Sequence, residues 1–405
     1  MPEAVIVAAA RSPIGRAGKG SLASARADEL AVQMVHAVLA QAPELDPHEV
    51  DDLLMGCGQP GGEAGFNVAR VVAVLAGFDD LPGVTVNRYC SSSLMTTRMA
   101  MHAIKAGEGS VFLSAGVEAV SRFANGLADG GAGTHNPRFA DAEARTAQTA
   151  TDGSTWVDPR ESGTMPDVYL AMGHTAENVA QVTGTTRRDQ DEFGVRSQNL
   201  AEAALSNGFW AQDITPVTLP DGTVVSRDDG PRAGVTLEGV SGLKPVFRSD
   251  GTVTAGNCCP LNDGAAALVV MSDKRARELG ITPLARVVST AVSSMSPELM
   301  GLGPVAASRR ALALAGMTID DIDLVEINEA FAAQVVPSAH QLGIPWEKLN
   351  VNGGAIAVGH PFGMTGARIT TTLINSLRFH DKQIGLETMC VAGGQGMAMI
   401  IERLS

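Results

Sequence analysis

Val84-Thr85-Val86-Asn87-Arg88-Tyr89-Cys90-Ser91-Ser92-Ser93 is the stretch that decides the fold class. Its β-branched residues read as a strand over 84–89, which runs through Cys90 into a helix over 91–106 closed by Gly107. Working outward, residues 52–56 (Asp-Leu-Leu-Met-Gly) read as a strand, 66–75 as a helix ended by Gly77, and 110–115 as a further strand. Upstream, 5–9 is a short buried strand. In the segment 27–41, Leu30, Ala31, Met34, Val35, Val38 and Leu39 share one helical face. Strands alternating with helices predict an α/β unit built on a mostly parallel sheet.

The last third repeats this grammar, with strands over 285–291, 324–327 and 350–352, helices over 306–315, 330–342 and 365–377, and two final apolar runs. Asp52-Leu53-Leu54 parallels Asp323-Leu324-Val325, and Val86-Asn87 before Cys90 parallels Val351-Asn352 before His360. Two similar halves about a pseudo-twofold would bring distant strand ends to one point, although two independent α/β domains would give the same local pattern. Between about 122 and 250 the texture changes, with Gly130-Gly131, Asn136-Pro137, Asp158-Pro159 and Asp229-Gly230-Pro231 as punctuation. Two helices are expected there, one over 174–183 and one after Thr186, whose hydroxyl can form a capping box with Asp189. This region reads as an inserted loop domain over the site.

Composition narrows the function. A chain of 405 residues with 45% hydrophobic and 18% charged side chains supports two or three compact units and excludes a disordered chain. The formal charge of −14 disfavours nucleic acid and anionic membrane surfaces, so an anionic substrate needs a local basic patch. No run of eighteen apolar residues and no signal peptide is apparent, so a soluble, cytoplasmic protein is expected. Five cysteines without a C-x-x-C spacing argue against a disulfide framework and against any metal site.

Four positions carry chemistry. Cys90 stands where a helix start favours a thiolate, although an isolated cysteine is as readily a small buried hydrophobe. His360, within Gly353-Gly354-Ala355-Ile356-Ala357-Val358-Gly359-His360-Pro361, can take a proton from a thiol or can simply end a turn. Asn328 follows an apolar strand and either caps a helix or holds a water. Cys390 precedes Val391-Ala392-Gly393-Gly394-Gln395-Gly396, whose amides can hold an oxyanion. Cys258 and Cys259 are adjacent, diverge, and read as packing.

Taken together, these blocks resemble the thiolase family, acyl-CoA acetyltransferases that cleave or form 3-oxoacyl-CoA. The likeness runs from Arg11-Ser12-Pro13-Ile14-Gly15 to the final glycines. It includes 87–93, Asn328-Glu329-Ala330-Phe331, Gly359-His360-Pro361, Met172-Gly173 with 176–180, and 251–257 leading to 261–266. The resemblance implies a five-layer αβαβα fold of two similar halves. The N-terminal half would be 1–121, completed by about 251–280; the loop domain 122–250 would cover the CoA site; the C-terminal half would be 281–405. It also implies a homodimer or homotetramer, with coenzyme A as co-substrate and no permanently bound cofactor.

By the same resemblance Cys90 would be the acylated nucleophile, with His360 its activator and Cys390 the acid/base; the helix start would favour an ionised Cys90. His360 with a water on Asn328 would form one oxyanion hole, and the amides of Cys90 and Ala392 the other. Arg232, Leu243, Phe247, Ala255 and Cys259 fall where family members contact CoA; Met172, Met300 and Phe331 fall in the acyl pocket. Departures stand out: Cys258-Cys259-Pro260 where a Ser-Gly pair is common, Ala171 before Met-Gly where acetoacetyl-CoA enzymes carry histidine, and Ala392 and Ser93 at frequent glycines. Condensation of two acetyl-CoA is the nearest alternative. A carrier-protein synthase is disfavoured by Cys390, and a catalytically silent acyl-CoA scaffold by the filled catalytic positions.

Overall fold

The computed structural model describes residues 2–126, 128–129 and 131–405. The chain opens with β1 (Ala4–Arg11), a two-residue β2 (Gly15–Arg16), α1 (Ala27–Ala40), β3 (Asp52–Gly56), α2 (Val68–Leu75), β4 (Gly83–Val86), α3 (Ser92–Ala106) and β5 (Val111–Ala119). Next come α4 (Ala140–Asp152), α5 (Met172–Thr183), α6 (Arg187–Ser206), α7 (Phe209–Asp213), the hairpin β6 (Val217–Thr218) and β7 (Val224–Val225), and α8 (Leu237–Ser241). The remainder is β8 (Asn262–Ser272), α9 (Asp273–Leu279), β9 (Ala285–Ser294), α10 (Gly303–Ala315), β10 (Leu324–Ile327), α11 (Ala332–Leu342), α12 (Ala355–Val358), α13 (Thr365–Phe379), β11 (Ile384–Val391) and β12 (Gln395–Arg403).

The main sheet runs β10-β11-β12-β9-β1-β8-β5-β3-β4, with β2 on β8. Among the described residues its halves meet through two residue pairs, Val5 with Arg286 and Ile6 with Ala285. On one side of that junction β4, β3 and β5 are mutually parallel, while β8 and β1 follow antiparallel. On the other, β10 and β11 are parallel and β12 and β9 follow antiparallel. The internal repeat is therefore one of strand order as well as of sequence. The expectation of a mostly parallel sheet is corrected by one strand in each half: β8 and β12 each run against both neighbours, while the other strands of each half share one direction; orientation leaves no trace in a strand's own side-chain pattern.

A second correction concerns 350–352, which form a turn instead of a strand. Only Leu349 bridges β10, at Val325, and Asn350 takes a positive φ of 44° while its side-chain amide donates to Ile327 O. That bridge occupies the place β4 holds in the first half. The expected helix pair in 122–250 is also too few: α4, α7 and α8 lie there besides α5 and α6. The capping box of α6 forms as read, with Thr186 and Asp189 each satisfying the other's backbone N–H.

Three apolar clusters account for the layers. The first joins α1 and α2 to one face of the N-terminal half-sheet; in α1, Leu30, Met34, Val35 and Val38 are fully buried. Each such side chain contributes roughly 1.5–3 kcal/mol. A second cluster sandwiches α3 and α13 between the two half-sheets, and a third packs α10 and α11 on the outer face of the C-terminal half. The order α, β, α, β, α is the five-layer arrangement. At its centre α3 and α13 pack so closely that a Cβ at Gly366 would overlap the backbone of Leu94. Both helices point their first turns toward the same end of the molecule, where the site lies.

Candidate active site

Cys90 is presented by a tight turn. Beyond β4, Tyr89 adopts a positive φ of 43°, a conformation costly for a non-glycine residue and held here by local bonds. Tyr89 N–H donates to Asn87 Oδ1 at 2.8 Å, Arg88 N–H to Ser92 Oγ at 2.9 Å, and the Ser92 hydroxyl to Tyr89 O at 2.6 Å. The turn is tied across the molecule, because Arg88 Nη1 donates to Gln395 Oε1 at 2.6 Å and Gln395 Nε2 to Ala392 O at 3.2 Å. In this way the loop after β11 is held against the cysteine.

The thiol is not the resting thiolate that the helix start suggested. Burial pushes the Cys90 thiol up to about 12, the charge of Glu118 adds to the rise, and the backbone N–H groups of Cys90 and Ala392 only partly oppose it. Desolvation of a charge in a dry pocket outweighs two amide donors. Glu118 itself, pushed up to about 7 by burial, accepts from Gly58 N–H, Gln59 N–H and Gly363 N–H. It clamps the segment after β3 to the loop that carries His360.

His360 lies between α12 and α13, its backbone N–H donating to Asn262 Oδ1 at 2.9 Å. Gly359 before it has φ 115°, and a Cβ there would press on Ile14 and on the Asn262 amide, so only glycine fits. Nδ1 is 2.6 Å from Thr365 Oγ1. The Thr365 hydroxyl has one proton and donates it to Pro361 O at 2.7 Å, so toward the imidazole it accepts. Nδ1 therefore carries the hydrogen, and Nε2 is left as the base. Burial, with the charge of Arg368, lowers the imidazole to about 3 and keeps it neutral at ordinary pH.

Asn328 does not cap α11, which starts four residues later with Phe331 at the cap position. Its backbone is fixed by N–H donation to Thr388 O at 3.0 Å and by acceptance from Gln334 Nε2 at 2.8 Å. The side-chain amide reaches His360 Nε2 at 3.3 Å, and its Oδ1 is buried with no partner. A buried carbonyl oxygen left over beside an imidazole is a place for a small polar molecule. Cys390, the penultimate residue of β11, is fully buried; burial and the nearness of Cys90 hold its thiol well above the usual range. Burial, reinforced by Cys258, Cys90 and Cys390, raises Cys259 as well.

Above these groups opens a cavity of about 640 Å³, with an apolar majority in its walls. It brings together Cys90, His360, Met172, Met300, Phe331, Arg232, Leu243, Phe247, Ala255 and Cys259. Asn328, Cys390 and Ala392 are buried and are not part of its lining. Arg16 and Arg232 are its charged lining residues, which is the local basic patch an acidic chain needs for an anionic ligand. Sequence reasoning missed Arg16, Phe362, Glu118 and Thr365; only Thr365, a few residues after His360, left a signal worth following. Among the described residues no cluster of three metal-ligating side chains occurs, and no helix is long and apolar enough to cross a membrane.

Comparison with known proteins places this geometry. Residues 4–274 match the family description "Thiolase, N-terminal domain" and 281–403 match "Thiolase, C-terminal domain". The chain is 43% identical to the 3-oxoadipyl-CoA/3-oxo-5,6-dehydrosuberyl-CoA thiolase of Escherichia coli K12 over 418 residues, covering 100% of both. It is likewise 43% identical to an acetyl-CoA acetyltransferase of the same organism over 410 residues, again covering 100% of both. Among solved structures, the dimeric peroxisomal thiolase of Saccharomyces cerevisiae superposes with a TM-score of 0.88 at 34% identity, covering 99% of this chain and 97% of that one.

Proposed function

This chain belongs to the thiolase family and is an acyltransferase of that family, and on that premise we propose that it cleaves 3-oxoacyl-CoA with free CoA. The products are acetyl-CoA and an acyl-CoA two carbons shorter. Support comes above all from one observation: Cys90, from the first half, and His360, from the second, line a single cavity, with Cys390 close enough to feel the charge of Cys90.

The cycle follows from the resting protonation states. With Cys90 a thiol and His360 neutral, the proton passes from sulfur to Nε2 as the sulfur attacks the 3-oxo carbon, so Cys90 never stands as an isolated thiolate. The tetrahedral oxyanion would be met by the N–H groups of Cys90 and Ala392 or by the imidazolium with a water on Asn328. Breaking the bond between C2 and C3 sends its electron pair into an acetyl-CoA enolate, which takes the Cys390 proton. Incoming CoA returns a proton to Cys390, attacks the thioester on Cys90, and releases the shortened acyl-CoA as Cys90 recovers its proton from His360.

Within this reading 122–250 is the loop domain over the CoA site, Arg16 and Arg232 serve the CoA phosphates, and Leu243, Phe247, Ala255 and Cys259 contact its thiol arm. Self-association is expected through β4, the open sheet edge, beside which Val84 and Tyr89 are exposed. Condensation of two acetyl-CoA is a second reading, favoured by the likeness to an acetyl-CoA acetyltransferase; against it stands Ala171, where acetoacetyl-CoA enzymes carry histidine. A panel of 3-oxoacyl-CoA esters assayed with free CoA tests the proposal. Turnover with an acyl group recovered on Cys90 by intact-mass analysis supports it; absence of both would leave an acyl-CoA-binding scaffold.

A further inference from the structure

Glu118, near the end of β5, is buried and lines no part of the catalytic cavity, yet it is the acid whose charge reaches Cys90. Its oxygens are filled by neutral donors from two loops. Oε2 accepts from Gly58 N–H at 2.7 Å and Gly363 N–H at 2.8 Å; Oε1 accepts from Gln59 N–H at 3.1 Å, with the Cys57 thiol at 3.8 Å. Two acceptor oxygens facing four donors is what a carboxylate offers and an amide does not.

These bonds bear on His360 although Glu118 does not touch it. Gly363 lies three residues after the histidine, and a Cβ there would overlap Val117 O and Cys57 Cα, so its loop is seated directly on β5 and on the residue just past β3. A Cβ at Gly58 would press on Phe362, whose ring lines the catalytic cavity and meets the His360 ring at 5.3 Å and 76°. Position thus passes from the carboxylate to Gly363 and through Phe362 to the imidazole.

The other titratable groups around Glu118 are already committed. Burial holds Cys57 as a thiol, Asp263 accepts from Ser121 N–H, and the loop being held carries the neutral His360. Arg122 and Glu63 pair with each other beside a cavity of about 20 Å³ that reaches Glu118 from its far side. A space of that size admits about one water, which gives the carboxylate a partner for proton exchange.

Building on the thiolase reading, we propose that Glu118 is a positioning residue with two separable tasks: its oxygens hold the His360 loop in register with Cys90, and its charge keeps Cys90 a thiol until His360 takes the proton. Protonated, Glu118 still has a carbonyl oxygen for Gly58 and Gly363 and turns a hydroxyl toward Cys57, so the clamp outlasts the charge. A thiol at rest is spared electrophiles other than the bound thioester.

Two variants separate the tasks. Glu118→Gln removes the charge and keeps one acceptor oxygen; Glu118→Asp keeps the charge and withdraws both oxygens. Alkylation of Cys90 by iodoacetamide without substrate, read by peptide mass from about pH 5.5 to about pH 8.5, follows the thiolate fraction. In the wild-type protein its rise with pH should flatten near 7, where Glu118 gains its charge. Glu118→Gln should show no flattening, matching wild type below about pH 6 and reacting up to about tenfold faster above about pH 8, the effect of one pKa unit. Glu118→Asp should keep a flattening but lose about tenfold in kcat for acetoacetyl-CoA with little change in KM, the cost of stranding a buried N–H, and Glu118→Gln should retain most of the rate. A flattening that persists in Glu118→Gln, or an offset equal at every pH, overturns the charge task, and wild-type kcat in Glu118→Asp overturns the clamp. No cleavage by the wild-type protein would defeat the thiolase reading, whereas the alkylation profiles need no turnover and judge the charge by themselves.

Discussion

Thr365 decides which nitrogen of His360 carries the proton. Its hydroxyl sits 2.6 Å from Nδ1 and spends its own hydrogen on Pro361 O, so it can only accept from the ring. Nε2 is thereby left unprotonated, an acceptor that the Asn328 amide meets at 3.3 Å. Thr365 acts as a positioning residue, and Thr365→Val should lower kcat about tenfold, the value of one buried hydrogen bond, with little change in KM. Thr365→Ser should restore most of the rate. An unaltered kcat in the valine variant would show that the tautomer is set by something else.

Acylation should show no histidine limb. With the Cys90 thiol at about 12 and the imidazole at about 3, neither partner of the proton transfer titrates across the neutral range. The rate of Cys90 acetylation by acetyl-CoA, read by quenched-flow mass analysis, is expected to change there only through Glu118 at about 7, whose neutralisation at lower pH removes a charge that disfavours the Cys90 thiolate. A limb of the opposite sense, falling toward low pH and centred near the ordinary histidine value of about 6.5, would mean that His360 ionises freely.

His360 also shapes acid stability. Since its folded value is depressed, the unfolded chain binds more protons between about pH 6.5 and about pH 3, and stability falls as pH drops through that window. In urea melts His360→Gln should show a shallower fall over the same range.

The two sulfurs separate into two half-reactions. Cys90→Ala should fold and bind but form no acyl adduct from any thioester. Cys390→Ala should still be acetylated on Cys90 by acetyl-CoA, a transfer that breaks no carbon–carbon bond, yet lose cleavage of 3-oxoacyl-CoA by roughly 10²–10⁴. Equal loss of both reactions in Cys390→Ala would remove its assigned role as carbon acid/base.

Gly173 sets the acyl wall. Its missing Cβ is where the Phe247 ring lies, so Gly173→Ala must displace the ring or shift α5. A loss of about 1–3 kcal/mol in stability is expected from such overpacking, with KM for longer acyl esters rising more than that for acetoacetyl-CoA. An unchanged KM across the series would mean that the ring moves aside without cost.

What could be read beforehand follows from where the information resides. The buried stripe of α1, the capping box of α6 and the turn at Cys90 are local patterns, and they appear as read. β8, the longest strand, escaped because every residue from Asn262 to Ser272 is buried, so it has no alternation to betray it. α4, rich in Ala, Thr and acidic residues with few buried positions, resembled loop. Strand direction and the Asn350 turn depend on partners far away in the chain. The protonation of Cys90 was misjudged for the same reason: the helix start is visible in sequence, whereas the burial that overrides it exists only once two half-sheets enclose α3 and α13.

The seam between the half-sheets rests on two residue pairs, and the chain crosses from one half to the other through the short link after α9, where Gly280 and Thr282 are exposed. Severing it near Ile281 would yield one fragment holding Cys90 and another holding His360, Asn328 and Cys390. Neither piece could turn over alone, so recovered activity on mixing them would report complementation, and the molecule would serve as a built-in gauge of its own domain docking.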